Sequence, residues 1–272
     1  HNEKQVALGD AAHLSSFAKN VETLAVAWQL NHDDAAARRA GEWLRAWFIT
    51  PATRMNPNLE FAQVRLGHNR NHGSPAGVLD ARCFRQIVEA LQRLHDSPAF
   101  SREEESGIQA WFKAYFTWLT TAPNARAEQV AKNNHGSWFL VQIIPIARYC
   151  GHEDLARELC EGDKARIASQ VKPDGSQPDE LRRVDGLSYS VFNLEAHFQV
   201  ARLASESGID LWNYTAPSGA SLRRALEFLR PYNAHPESWP GNQNAELKPG
   251  FLDALLKQAK AVWPDFVESG KT

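Results

Sequence analysis

Apolar residues recur at three- and four-residue spacing along almost the whole chain, and this periodicity restricts the fold more than any other feature. Val21, Leu24, Ala25 and Trp28 form one stripe. Trp43, Leu44, Trp47 and Phe48 form a second, after the turn Asn31-His32-Asp33-Asp34. Cys83, Ile87, Val88, Leu91 and Leu94 form a third. Ser101 followed by Glu104 has the pattern of a capping box, in which each side chain satisfies a free amide at a helix start. The helix it opens carries Ile108, Trp111, Phe112, Tyr115 and Trp118, and Pro123-Asn124 then breaks the chain. Further helices are expected over roughly 126–149, 152–170, 188–207, 218–230 and 250–262. Runs alternating with period two are scarce, so little β structure is expected. The class is therefore all-α, built of helical hairpins packed in a ring or a bundle.

Composition narrows the function classes. The chain has 272 residues with no clean linker, so one domain spanning 1–272 is expected. Lys and Arg number 30 against 32 Asp and Glu, a net charge of -2. That balance argues against nucleic-acid binding through bulk positive charge. Hydrophobic residues make up 43%, too many for a disordered chain. The apolar runs are short and broken by charges, so no membrane span is expected. Three cysteines, at 83, 150 and 160, make neither a disulfide framework nor a zinc motif. Cys150 and Cys160 are expected as separately buried thiols. The first residue is His1 rather than Met and no secretory leader is visible, so a processed or truncated chain is expected.

Three irregular segments hold the candidate chemistry. In Lys132-Asn133-Asn134-His135-Gly136-Ser137-Trp138, polar residues interrupt an apolar helical pattern. Asn and Gly are poor inside helices, so the chain accepts a local cost there, as functional sites often do. The alternative is a helix junction capped by Asn. In Asp174-Gly175-Ser176-Gln177-Pro178-Asp179-Glu180-Leu181-Arg182-Arg183, a Pro-Asp-Gly turn leads to two arginines. Ser188-Tyr189 follows at a helix start, with Asn193 beyond it. Arginine holds a carboxylate through two parallel hydrogen bonds, and a tyrosine beside it is suited to proton exchange. The plain alternative is a solvated loop with a core tyrosine. The third segment, Pro51 to about Asp80, carries Gln63, His68, Asn69, Arg70, Asn71 and His72, residue types that suit sugar hydroxyls or carboxylates. No metal site is expected. Most of the nine Trp residues read as core, whereas Trp138 and Trp239 lie near polar loops and are the better candidates for stacking on sugar rings.

Together these blocks resemble the alginate lyase superfamily, polysaccharide lyases with an (α/α) toroid. The resemblance is carried by Thr53-Arg54-Met55-Asn56-Pro57-Asn58, Asn133-Asn134-His135-Gly136-Ser137-Trp138, and Asp174-Gly175-Ser176-Gln177-Pro178 with Glu180-Leu181 and Leu187-Ser188-Tyr189-Ser190. Gly77-Val78-Leu79-Asp80 also fits, and the likeness spans about residues 20–205. It implies a complete or incomplete (α/α) barrel, β-elimination on a uronic-acid polymer, and no cofactor. It implies catalytic roles for Asn134, His135, Arg183 and Tyr189. Arg183 fits the family spacing from Glu180 better than Arg182 does. Asn133, Trp138, Arg182, Gln63, His68, His72, Glu180, Asn193 and Trp239 are the expected substrate contacts. The expected partner is an anionic polysaccharide, alginate or a related polyuronate, with neither nucleic acid nor membrane, in the periplasm or outside the cell. Relatives carry an N-terminal segment before the first helix seen here, and they tend to have Gly-Arg where this chain has Asn71-His72.

Two other classes stay open at this level. A glycoside hydrolase on a helical toroid would use two carboxylates from Asp174, Glu180 and Asp185. A non-catalytic polyuronate-binding domain would keep the same polar set without turnover.

Overall fold

The computed structural model describes residues 10–266. Among these residues it is helical, with no strand and a single isolated antiparallel bridge between Asp185 and Gln243. The chain divides into two compact units.

The first unit, His1–Val130 with Val141–Ala156, holds α1 (Asp10–Asn31), α2 (Asp34–Phe48), α3 (Phe84–Arg93), α4 (Arg102–Thr121), α5 (Pro123–Gln129) and the later part of α6 (Asn134–Tyr149). Local chemistry sets the helix starts. Asp33 Oδ1 accepts from the Ala36 amide at 3.0 Å, and the capping box of Ser101 and Glu104 is formed at α4. The apolar stripes meet in an aromatic core of Phe48, Phe84, Trp111, Phe112 and Tyr115. Phe48 lies 4.6 Å from Trp111, and Phe84 lies 5.0 Å from Tyr115, between ring centroids. The Tyr115 hydroxyl accepts from Gln142 Nε2 at 2.9 Å, so its one polar atom is satisfied inside the core. The segment from Pro51 to Asp80 is irregular as expected, with short 3-10 turns at Asn69–Asn71 and Pro75–Ala81.

The second unit, Ala131–Leu140 with Arg157–Thr272, holds the start of α6, most of α7 (Glu153–Gln170), α8 (Pro178–Leu181), α9 (Gly186–Glu206), α10 (Leu222–Leu229) and α11 (Asp253–Val262). α9 buries most of its surface, from Leu187 through Leu194, Phe198 and Val200 to Leu203, and leaves one stripe of Ser188, Phe192, Glu195, Gln199 and Arg202 partly exposed. Trp212 and Trp263 close over Phe198 with edge-on contacts at 5.0 and 6.0 Å.

Two expectations are corrected. The helix expected over 126–149 is two helices: α5, which Pro123 opens after the break that ends α4, stops at Gln129, and α6 begins only at Asn134. The loop after Lys172 contains α8, also opened by a proline, Pro178. The three cysteines are free and buried. No helix among the described residues is long and apolar enough to cross a membrane.

Candidate functional site

The start of α6 is built around Asn133 and Asn134. The Asn133 carbonyl accepts from the Gly136 amide at 3.1 Å, and its side-chain oxygen accepts from the His135 amide at 3.2 Å. Asn134 is held from α8: its backbone amide donates to Glu180 Oε1 and its Nδ2 donates to Glu180 Oε2, each at 2.6 Å. Both residues are 1% exposed. A carboxylate here also faces the positive end of the α6 dipole. Burial pushes the Glu180 pKa up, and the Asn134 bonds, Arg183 and His135 pull partly against it. Gly136 permits the turn to close. A Cβ there would lie 2.2 Å from the Ala131 carbonyl oxygen and 2.3 Å from Arg166 Nη1, which themselves form a hydrogen bond of 2.6 Å.

The two adjacent arginines separate. Arg182 is exposed and pairs with Asp179. Arg183 turns the other way and lays its guanidinium over the Tyr189 ring, 4.1 Å from the centroid. Tyr189 sits in the first turn of α9. It also lines a cavity of about 410 Å³ with Asp185, Ser188, Phe192, Glu195 and Phe251.

Beneath this surface lies a buried polar network that sequence reading missed. Gln170 Oε1 accepts from Ser137 Oγ (3.2 Å) and Asn193 Nδ2 (2.9 Å) and lies 2.9 Å from His197 Nε2. Gln170 Nε2 donates to the Asn133 carbonyl at 3.3 Å, tying the network to the α6 turn. His197 Nδ1 lies 3.0 Å from Asp163 Oδ2. Ser137, His197 and Asp163 have the order of a nucleophilic triad, but all three are fully buried and the Ser137 hydroxyl is engaged by Gln170, so no substrate reaches it.

The expected contacts sort accordingly. Asn193 is fully buried and spends its amide hydrogens on Gln170 and Gln177, so it is an internal residue and not a substrate contact. Trp138 stacks on Phe192 at 4.8 Å and donates to its carbonyl at 3.0 Å. Trp239 packs edge-on against Tyr232 at 4.8 Å and Phe228 at 6.1 Å. Gln63, His68 and His72 belong to the first unit. There Gln63 donates to Asp80 at 2.8 Å, and His72 stacks on the exposed Phe61 with Nδ1 3.2 Å from Glu60. Among the described residues no cluster of three or more His, Cys, Asp or Glu side chains is placed to hold a metal ion.

Comparison with known proteins agrees with this architecture. An alginate lyase from Bacteroides ovatus is 34% identical, with a TM-score of 0.91 over 97% of this chain and 71% of its own. Alginate lyase A1-III from Sphingomonas species A1 is 17% identical, with a TM-score of 0.71 over 99% of this chain and 74% of its own. A tyrosine-to-phenylalanine variant of that enzyme, complexed with tetrasaccharide, gives a TM-score of 0.72 at 17% identity, over 100% of this chain and 74% of its own. At 17% identity the likeness shows the fold alone. No curated protein matches the chain significantly. The family model described as alginate lyase matches residues 1–239. With that match over most of its length and a 34% identical alginate lyase of the same fold, the chain belongs to the alginate lyase family, all-α polysaccharide lyases of the toroid class.

Proposed function

We propose that this lyase acts on alginate by β-elimination, and that Asn134, His135, Arg183 and Tyr189 carry the reaction. The observation that supports it most is the Arg183 guanidinium lying 4.1 Å over the ring of Tyr189, at the rim of a sugar-sized cavity. The C-5 proton of a uronate is only weakly acidic. Its removal becomes feasible when the adjacent carboxylate is neutralised, so that negative charge can build up on it. Asn134, His135 and Arg183 take that role. A base then removes the C-5 proton, the electron pair forms the C4=C5 bond, the C4–O4 bond breaks, and the leaving oxygen takes a proton from Tyr189. With mannuronate Tyr189 also serves as the base; with guluronate, whose proton lies on the opposite face, His135 does.

Solved variants of A1-III lend support. A histidine-to-alanine variant and a tyrosine-to-phenylalanine variant are each complexed with tetrasaccharide, and these are the residue types assigned here at 135 and 189. Asn133, Trp138 and Arg182 are assigned as contacts along the polymer. Glu180, expected as a substrate contact, is buried with both oxygens engaged by Asn134, and is assigned instead as the support of Asn134. A polymeric substrate places the enzyme in the periplasm or outside the cell.

A hydrolytic reading finds little room. Asp185 accepts from the amides of Asn244 and Ala245, Glu180 is buried under Asn134, and Asp174 bonds to Ser176, which holds its carboxyl below the usual range. The test is ultraviolet absorbance during incubation with polymannuronate, polyguluronate and glucuronan in parallel, with Tyr189→Phe as control. A rise on an alginate block, lost in the variant, is expected. New reducing ends without absorbance would establish hydrolysis instead.

A further inference from the structure

We propose that Gln243 is a positioning residue for Tyr189, supplying from a distant segment the cap that fixes the first turn of α9. The proposal rests on the reading of Tyr189 as the proton carrier. Residues 242–245 lie beyond the stretch 1–239 that matches the family model, so that match assigns them no role.

The first amides of a helix have no partner within it. The residue before α9 is Asp185, a type that commonly supplies one. Here it makes no side-chain cap. Its Oδ1 instead accepts from the Asn244 amide at 2.9 Å and the Ala245 amide at 2.6 Å. The partners for α9 come back from the same segment. The Gly186 amide donates to the Asn242 carbonyl at 2.8 Å, and the Ser188 amide donates to Gln243 Oε1 at 3.1 Å. Gln243 Nε2 donates to Ser188 Oγ at 2.9 Å and to the Ala245 carbonyl at 2.7 Å. The Asn244 amide donates to the Val184 carbonyl at 3.2 Å. One side chain thus bonds the residue next to Tyr189 twice and braces its own loop. The Tyr189 amide hangs from the Asp185 carbonyl at 2.9 Å, and Asp185 is clasped by the same loop. That loop continues into Ala245, Leu247 and Phe251, which wall the cavity beside Tyr189.

Two magnitudes make this a question of placement rather than folding. A helix cap contributes about 1 kcal/mol, too little to unfold a domain of this size when removed. A shift of about 1 Å in a catalytic group lowers a rate by as much as about 100-fold.

The test uses Gln243→Met, which keeps the side-chain bulk without its hydrogen bonds, and Gln243→Glu, which keeps an acceptor for the Ser188 amide. Steady-state kinetics are read by ultraviolet absorbance on whichever polymer the wild-type enzyme cleaves, with circular dichroism as the check on folding. Gln243→Met is expected to lower kcat at least about tenfold with KM within about twofold, and Gln243→Glu to recover most of the loss. A folded Gln243→Met with unchanged kcat, or one in which KM alone rises, overturns the proposal. Tyr189→Phe separates the two levels. If it is inactive while Gln243→Met is unimpaired, only the Gln243 proposal falls; if it keeps full activity, the reading of Tyr189 falls first.

Discussion

Replacing Glu180 by glutamine keeps the shape of the side chain and changes one acceptor into a donor. At present both carboxylate oxygens accept from Asn134, one from its backbone amide and one from Nδ2, each at 2.6 Å in a site 1% exposed. The substituted amide serves one of these and sets its own NH2 against the other donor. A hydrogen bond to a charged group contributes about 1.5–3 kcal/mol, which is the loss to expect. Burial works the other way. It raises the Glu180 pKa, so the ionised carboxylate is itself costly there and a neutral amide removes that cost. The two contributions oppose each other, so Glu180→Gln should change stability by less than about 2 kcal/mol, a Tm shift of at most about 4–8 °C. Activity has no such offset. Asn134 can satisfy the new NH2 only by turning its own amide over, which exchanges donor and acceptor at the edge it presents. Losing about 2.7 kcal/mol of transition-state stabilisation lowers kcat about 100-fold. Calorimetry and the ultraviolet assay on purified protein read both quantities. A well-folded Glu180→Gln with kcat within about threefold of wild type would refute this account of Asn134. The same carboxyl predicts a pH dependence. Because its pKa is raised in the fold, its stabilising contribution is present below the ordinary glutamate range and is lost as pH rises through the raised value. Over that interval the ionised form that grips Asn134 appears, so kcat rises while Glu180's contribution to stability falls. Glu180→Gln should show neither trend.

Arg182→Ala should leave kcat and melting almost unchanged and act on KM alone, since that side chain is 74% exposed and pairs with the neighbouring Asp179, whereas Arg183→Ala should lower kcat by about 100-fold or more in the same assay. Equal losses in both would remove the distinction between them. Gly136→Ala would drive a methyl group into the bond between Arg166 and the Ala131 carbonyl, and should destabilise by about 3 kcal/mol in urea titration. Asp163→Asn breaks the fully buried pair with His197 and should cost about 3–5 kcal/mol; a loss below about 1 kcal/mol would mean that the pair carries little charge.

How far the site can be read from sequence depends on whether a residue's role shows in its neighbours along the chain. Asn133-Asn134-His135-Gly136 is legible because four poor helix formers in an apolar pattern announce a local cost, and the structure shows what the cost secures: a turn closed over Gly136 and gripped by Glu180. The choice of Arg183 over Arg182 comes from the family spacing alone, and no local physical signal separates the two. Adjacent side chains after α8 point apart, and only coordinates show which one reaches Tyr189. Glu180 reads in sequence as a substrate contact or a catalytic carboxylate, because nothing local reveals that Asn134, 46 residues earlier, will cover it. Tyr189, Asn193 and His197 were open to a closer reading. They fall at four-residue spacing on α9, away from its partly exposed Glu195-Gln199-Arg202 face, and polar residues on the buried side of a helix must be matched by polar partners within the core. Those partners, Gln170, Gln177 and Asp163, lie on other segments, so the stripe foretells a network without naming its members. Gln243 is the extreme case. It is a common residue in a loop of no evident pattern, 55 residues from the Ser188 it bonds, and it stands in for an Asp185 that sequence rules would have chosen. The chemistry of such a site is written in short runs that break local rules; the residues that hold it in place obey those rules and appear only when the chain has folded.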